Sequence, residues 1–227
     1  MAAPCFTPRT VPFLRALKRN NDREWFRERR AIFDEHVHRP MVAVVDRLAI
    51  DFPTFAPDLV ADPRRSIHRI YRDTRFSPDK SPLKTNIAAV FRPREGERHE
   101  SAGLYLEVAH GWVWVGGGLY RPTPRSLHRV REHIATHLTQ FRALVGAPAF
   151  RRQCGTLGGD ALIRVPRPFP ADHPAAEYLR LKQFVASREF PADLASSRRF
   201  YASVLGVFTT IAPLVRFLND GIRAEER

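Results

Sequence analysis

A chain of 227 residues with 44% hydrophobic and 27% charged residues has the composition of a folded globular protein, which excludes disorder over most of its length. The formal net charge of +13 and pI of about 10.8 raise a polyanionic partner, yet lysine occurs only at positions 18, 80, 84 and 182, so the excess is arginine scattered along the chain. Cys5 and Cys154 offer neither a disulfide framework nor metal-ligand spacing, MAAPCFTPRT lacks a signal-peptide core, and no run approaches the ~18 apolar residues of a membrane span; free thiols, a cytoplasmic location and no membrane partner are expected.

The first third reads as helical. Phe13, Leu14 and Leu17 recur at helical spacing, and NNDRE offers Asn21 and Glu24 as a capping box ahead of Trp25, Phe26, Ile32, Phe33 and Val37. Trp25 and Arg29 lie one turn apart, where an indole and a guanidinium stack. Pro40 is expected to break or restart the helix, after which Met41, Val44, Val45, Leu48 and Phe52 carry the apolar stripe to the prolines of FPTFAPDL.

The period then changes from helical to alternating, predicting strands over 66–72, 86–92, 103–109 and 112–118, the last two joined by a His110-Gly111 turn. Leu104, Leu106 and Val108 share one face of their strand, and Tyr105 and Glu107 the other. Gly116-Gly117-Gly118 lacks the spacing of a phosphate-binding loop and reads as close backbone packing.

Helical spacing returns with Thr123 as N-cap and Pro124 behind it, then Leu127, Val130, Ile134, Leu138 and Phe141. One short strand over 161–165 follows. Asp172 to Pro174 is expected to open a helix carrying Tyr178, Leu181 and Val185, and a last helix is predicted over 193–219, kinked at Pro213. Helices over 10–52, strands over 64–120 and helices over 123–220 predict one α+β domain spanning 1–227: an antiparallel sheet of about four to five strands covered by N-terminal and C-terminal helices.

The densest charge lies in RIYRDTRFSPDKSPLKTN, residues 69–86, which holds five cations, two aspartates and two prolines. Two of the four lysines fall inside it, which suggests a need for compact ammonium groups beside planar guanidinium groups. Alternation places Arg69 and Tyr71 on one side and Ile70 and Arg72 on the other, so the cations converge only if the chain bends after Arg72. Asp73, Ser77, Pro78, Asp79 and Pro82 supply a stiff bend. The reading favoured is a pocket built from Arg69, Arg72, Arg75, Lys80 and Lys84 for a small anionic or phosphorylated ligand. Asp73, Asp79 and His173 are the acid-base candidates if that ligand is turned over. The competing reading of the stretch is an ion-pair network in which the aspartates hold the loop.

Two other functions stay open. A nucleic-acid-binding module would use the arginines around the helix after TPRS, Arg125, Arg129, Arg131 and Arg142; a structural or protein-interaction domain would bind neither ligand class. His133 and His137 are one helical turn apart but have no third ligand nearby, so no metal and no cofactor is expected, and the oligomeric state is left open.

RIYRDTRFSPDKSPLKTN, together with NNDREWF upstream, GGGLYRP in the middle and DHP followed by LRLK, resembles the domain of unknown function 2461 family of bacterial and fungal conserved hypothetical proteins, over nearly the whole chain. The chain departs from the family at Leu83, commonly tyrosine, Pro78, commonly lysine, and Pro168, commonly glycine. The resemblance implies no particular activity.

Overall fold

The computed structural model describes residues 3–75, 78–94 and 100–224. In chain order, helices α1 (Thr10–Arg19), α2 (Arg23–Glu28), α3 (Arg30–Phe33) and α4 (Arg39–Phe55) precede β1 (Leu59–Val60), α5 (Pro63–Ser66), β2 (Asn86–Pro93), β3 (Gly103–Ala109) and β4 (Trp112–Leu119). Helices α6 (Pro124–Thr136), α7 (Leu138–Gly146), α8 (Pro148–Cys154) and α9 (Ala176–Leu179) lead to β5 (Phe184–Pro191), a 3-10 turn (Ala192–Ser196) and α10 (Phe200–Arg223). The strands form an antiparallel meander in the order β1-β2-β3-β4-β5, which gives the α+β architecture expected from the sequence.

Register explains which side chains go where. Leu106 faces Val115 and Val108 faces Val113 across β3 and β4, and all four are fully buried against α10. Phe52 of α4 and Phe208 of α10 sandwich Phe91 of β2 at ring distances of 5.3 and 5.7 Å. Truncating a phenylalanine buried like Phe91 costs about 3–5 kcal/mol, so this sandwich is a main anchor of the sheet. The opposite face carries Tyr105, Glu107, Trp112 and Trp114, all half-buried. By length and composition alone α10 could cross a membrane, but more than half of that stretch lies buried in the protein as the helix on which the sheet packs.

Pro40 does restart the helix, though without a gap in the helical path. It sits in the first turn of α4, and the preceding turn widens to a π turn over Asp34–His38, with the Arg39 N–H donating to the Asp34 carbonyl. Proline has no N–H to give the carbonyl four residues back, that of His36, which instead accepts from the buried Thr10 hydroxyl of α1.

Several expected boundaries move. The helix expected through Val185 stops at Leu179, and residues 184–191 form β5 along the whole of β4, because burial of Phe184 and Ala186 and a complete ladder outweigh the helical spacing. The strand expected over 66–72 starts late, since Asp62 caps α5 through the Arg64 N–H, and it survives as the bridges Ile67–Ala89 and Tyr71–Leu83. Residues 161–165 give only the bridge Ala161–Leu181. Thr123 does cap α6, but the helix expected through Phe141 divides at His137; the Thr136 hydroxyl donates back to the Glu132 carbonyl, a bond that bends helices. The last helix begins at Phe200 rather than 193 and runs uninterrupted past Pro213. The glycine run packs closely: a Cβ on Gly118, whose φ is +127°, would stand 2.0 Å from the Phe184 carbonyl oxygen.

Candidate functional site

Residues 67–72 fold back on 82–89 as a short antiparallel ribbon that extends the start of β2. The His68 N–H donates to the Ala88 carbonyl at 2.8 Å, the Arg72 N–H to Pro82 at 3.0 Å, and the Lys84 N–H to Ile70 at 2.8 Å. Arg72 and Lys84 are thereby set on the same ladder. Asn21, expected as a helix cap, instead clamps this ribbon: its amide donates to the Leu83 carbonyl at 2.9 Å and accepts from the Leu83 N–H at 3.0 Å. The cap of α2 is Asp22, which accepts from the Glu24 and Trp25 N–H groups. The Arg29 guanidinium lies 4.7 Å over the Trp25 ring, as the spacing predicted.

Residues 73–75 and 78–81 are cross-braced by their own charges. Asp73 accepts from Arg75 three times, from its side chain at 3.0 and 2.7 Å and from its N–H at 3.2 Å, and Asp79 pairs with Arg72 and accepts from the Ser81 N–H at 2.9 Å. The Lys80 ammonium donates to the Thr74 carbonyl at 2.9 Å. Arg75, by side chain and backbone, holds the Asp73 carboxyl down to about 2, and the Ser81 hydroxyl and N–H, then Arg72, hold Asp79 at about 2. Both are carboxylates at neutral pH with no proton to donate, which suits them to bracing and poorly to acid catalysis. Ser77, expected as a local acceptor, lies outside the described residues.

A cavity of about 410 Å³ opens beside the ribbon on the sheet face opposite α10. The ribbon contributes His68, Arg72, Lys84 and Thr85, the loop Asp73, the start of β2 Asn86 and Ala88, and β3 Tyr105. Tyr105 donates its hydroxyl to Glu107 at 2.7 Å, and the Trp112 indole donates to the other Glu107 oxygen at 3.0 Å. Burial first, then the neighbouring Glu107 charge, push the Tyr105 phenol far above the usual tyrosine range, so it stays neutral. Its ring meets Trp114 edge-on at 5.4 Å and His68 at 6.1 Å.

Of the five predicted cations, Arg72 and Lys84 line this cavity, whereas Arg69, Arg75 and Lys80 do not. Tyr71, on the other side of the ribbon, lines a second, larger hollow of about 710 Å³ with Arg23, Arg27 and Arg30 of the N-terminal helices. Of the acid-base candidates, Asp73 reaches the cavity; Asp79 stays in the loop, and His173 is elsewhere, its ring nitrogen accepting from the Ala175 N–H at 3.0 Å beside Phe169. His68, Asn86, Ala88 and Tyr105 were not singled out as site residues from the sequence. The outward alternation of Tyr105 and Glu107 was the available signal, and the pairing of 68 with 88 was not.

The arginines proposed for nucleic acid are mostly engaged in the fold. Arg129 and Arg131 are buried and donate to the carbonyls of Ile222 and Leu181 at 3.0 and 2.8 Å, and Arg142 donates to Pro174 at 2.7 Å. The His133 ring lies tilted against His137 at 4.3 Å and against Phe217 at 4.4 Å, and among the described residues no group of three potential metal ligands occurs.

Fold and site together define an α+β protein in which helices cover one face of an antiparallel meander and a braced basic ribbon borders a cavity on the other. The chain belongs to the conserved hypothetical protein family DUF2461, whose family model matches residues 9–217 and so takes in the ribbon, the sheet and most of α10. No curated protein matches the chain.

Proposed function

We propose that the cavity beside the ribbon binds a small anionic ligand, with Arg72 as a planar fork and Lys84 as a point charge. One observation carries the reading: two cations held by backbone hydrogen bonds on adjacent strands of one ribbon border the same concavity. Preorganisation of this kind removes much of the ordering entropy that binding otherwise costs. The reading keeps the cytoplasmic location expected from the free thiols Cys5 and Cys154. It concerns binding and assigns no reaction.

The test is thermal melting with and without millimolar phosphate. A ligand at a hundredfold excess over its dissociation constant stabilises the folded state by about 2.7 kcal/mol. Lys84→Ala should remove most of the phosphate-dependent rise. Lys80→Ala, outside the cavity and bonded to the Thr74 carbonyl, should keep it. Arg72→Ala also breaks the pair with Asp79, so its ligand-free stability is expected to fall as well. An unchanged phosphate response in Lys84→Ala would refute the proposal. A response that grows with duplex length and collapses steeply with salt would favour the nucleic-acid reading instead.

A further inference from the structure

We infer that the anion taken by this cavity is the phosphate of a hydroxylated monoester, a sugar or polyol phosphate, rather than a free ion, an apolar phosphate ester or a polyanion. The inference rests on the anion-binding reading above. Size is the first reason. A phosphate ion has the bulk of only two or three waters at about 30 Å³ each, whereas the cavity holds about 410 Å³, within the range of pockets for organic ligands.

The walls give the second reason. Beyond Arg72 and Lys84 the lining is a carboxylate, a hydroxyl, a carboxamide and an imidazole, from Asp73, Thr85, Asn86 and His68. Such groups recognise hydroxyls and leave an alkyl chain without partners. Arg75 engages both Asp73 oxygens, through one nitrogen each from its side chain, and the Arg75 N–H also reaches Oδ1. A carboxylate has about four acceptor positions, so one is left for a ligand hydroxyl. The same negative charge disfavours a second anionic group on the ligand.

The floor supplies the third reason. Ala88 faces Glu107 across the β2–β3 pair on this side of the sheet; only 3% exposed, it lies just beneath the floor next to Tyr105, where a longer side chain would push into the cavity. Because the Tyr105 hydroxyl spends its one donor on Glu107, Tyr105 offers the cavity no donor, and its ring is a surface suited to the C–H face of a sugar. The phosphate then sits between Arg72 and Lys84, the hydroxyls meet Asp73, Thr85 and Asn86, and the carbon skeleton rests on Ala88 and Tyr105.

Calorimetric titration of the full chain with inorganic phosphate, ribose 5-phosphate and hexyl phosphate at one ionic strength tests this. Ribose 5-phosphate should bind about tenfold more tightly than phosphate, and hexyl phosphate no more tightly than phosphate. Ala88→Leu, which fills the floor, should abolish the tenfold preference while phosphate still binds. Asn86→Ala should reduce the preference severalfold by removing a hydroxyl partner, and provides the reading if Ala88→Leu fails to fold. Equal affinity for phosphate and ribose 5-phosphate would overturn the inference and leave the anion site standing. Tighter binding of hexyl phosphate, or a preference that both variants retain, would also overturn it. Failure of all three probes to bind would remove the anion site itself.

Discussion

Replacing Asn21 by alanine should weaken both the fold and the anion site, although Asn21 does not line the cavity. The side chain makes two hydrogen bonds to one residue, to the N–H and the carbonyl of Leu83, whose side chain is fully buried. Alanine leaves both backbone groups unpaired. Each unsatisfied buried group costs about 1–3 kcal/mol, and partial hydration of this half-buried pair brings the sum to about 3 kcal/mol. For a chain of this size that lowers the melting temperature by about 6–12 °C. The neighbouring Asn20 is the internal control, since its exposed amide only donates back to the Ala16 carbonyl, and Asn20→Ala should change stability by less than about 0.5 kcal/mol. Melting curves measure the first effect. Phosphate titration of Asn21→Ala well below its melting point measures the second, because a ribbon released at Leu83 no longer fixes Lys84 against Arg72. A variant as stable as Asn20→Ala, with unchanged phosphate affinity, would refute the role assigned to the clamp.

Tyr201→Phe should cost about 1–2 kcal/mol at neutral pH, because the Tyr201 hydroxyl donates to Asp51 at 2.7 Å and is, ahead of Arg47, the main cause of the lowered Asp51 carboxyl. A lowered folded-state carboxyl contributes stability above its unfolded pKa of about 4 and loses it as pH falls through the folded value, so the gap between parent and variant should close in acid; a gap that persists there would contradict the assignment. Gly118→Ala should prevent or severely weaken folding, since its φ is +127° and its Cβ would meet the Phe184 carbonyl, whereas Gly111→Ala, with nothing within 4 Å, should fold normally; soluble yield and melting of the pair decide this.

The central hairpin was legible because the turn at His110-Gly111 and the alternation of Leu104, Leu106 and Val108 agree, and the observed strands match the expected ones to within a residue. β5 was hidden because Tyr178, Leu181 and Val185 happen to fall at helical spacing, and only the ladder to β4 reveals that Val185 belongs to a strand. In the ribbon, alternation correctly separated Tyr71 from Arg72, which line different hollows. It could not say that Asp73 would close on Arg75 and Asp79 on Arg72, since those pairs depend on the path of the loop. The ion-pair reading of the charged stretch describes the loop, where Asp73 and Asp79 pair with Arg75 and Arg72; the anion reading, confined to Arg72 and Lys84, is the proposal. The Asn21 clamp was out of reach for a different reason. Asn21 and Glu24 matched a capping pattern, and nothing local distinguishes an asparagine that caps its own helix from one that pairs with a distant strand.

The most direct measurement is a crystal structure of the protein grown or soaked with phosphate. The account predicts the anion between the Arg72 guanidinium and the Lys84 ammonium, on the cavity side of the ribbon and within hydrogen-bonding distance of both. Phosphate found instead among Arg23, Arg27 and Arg30 on the Tyr71 side, with the space between Arg72 and Lys84 holding only water, would contradict it.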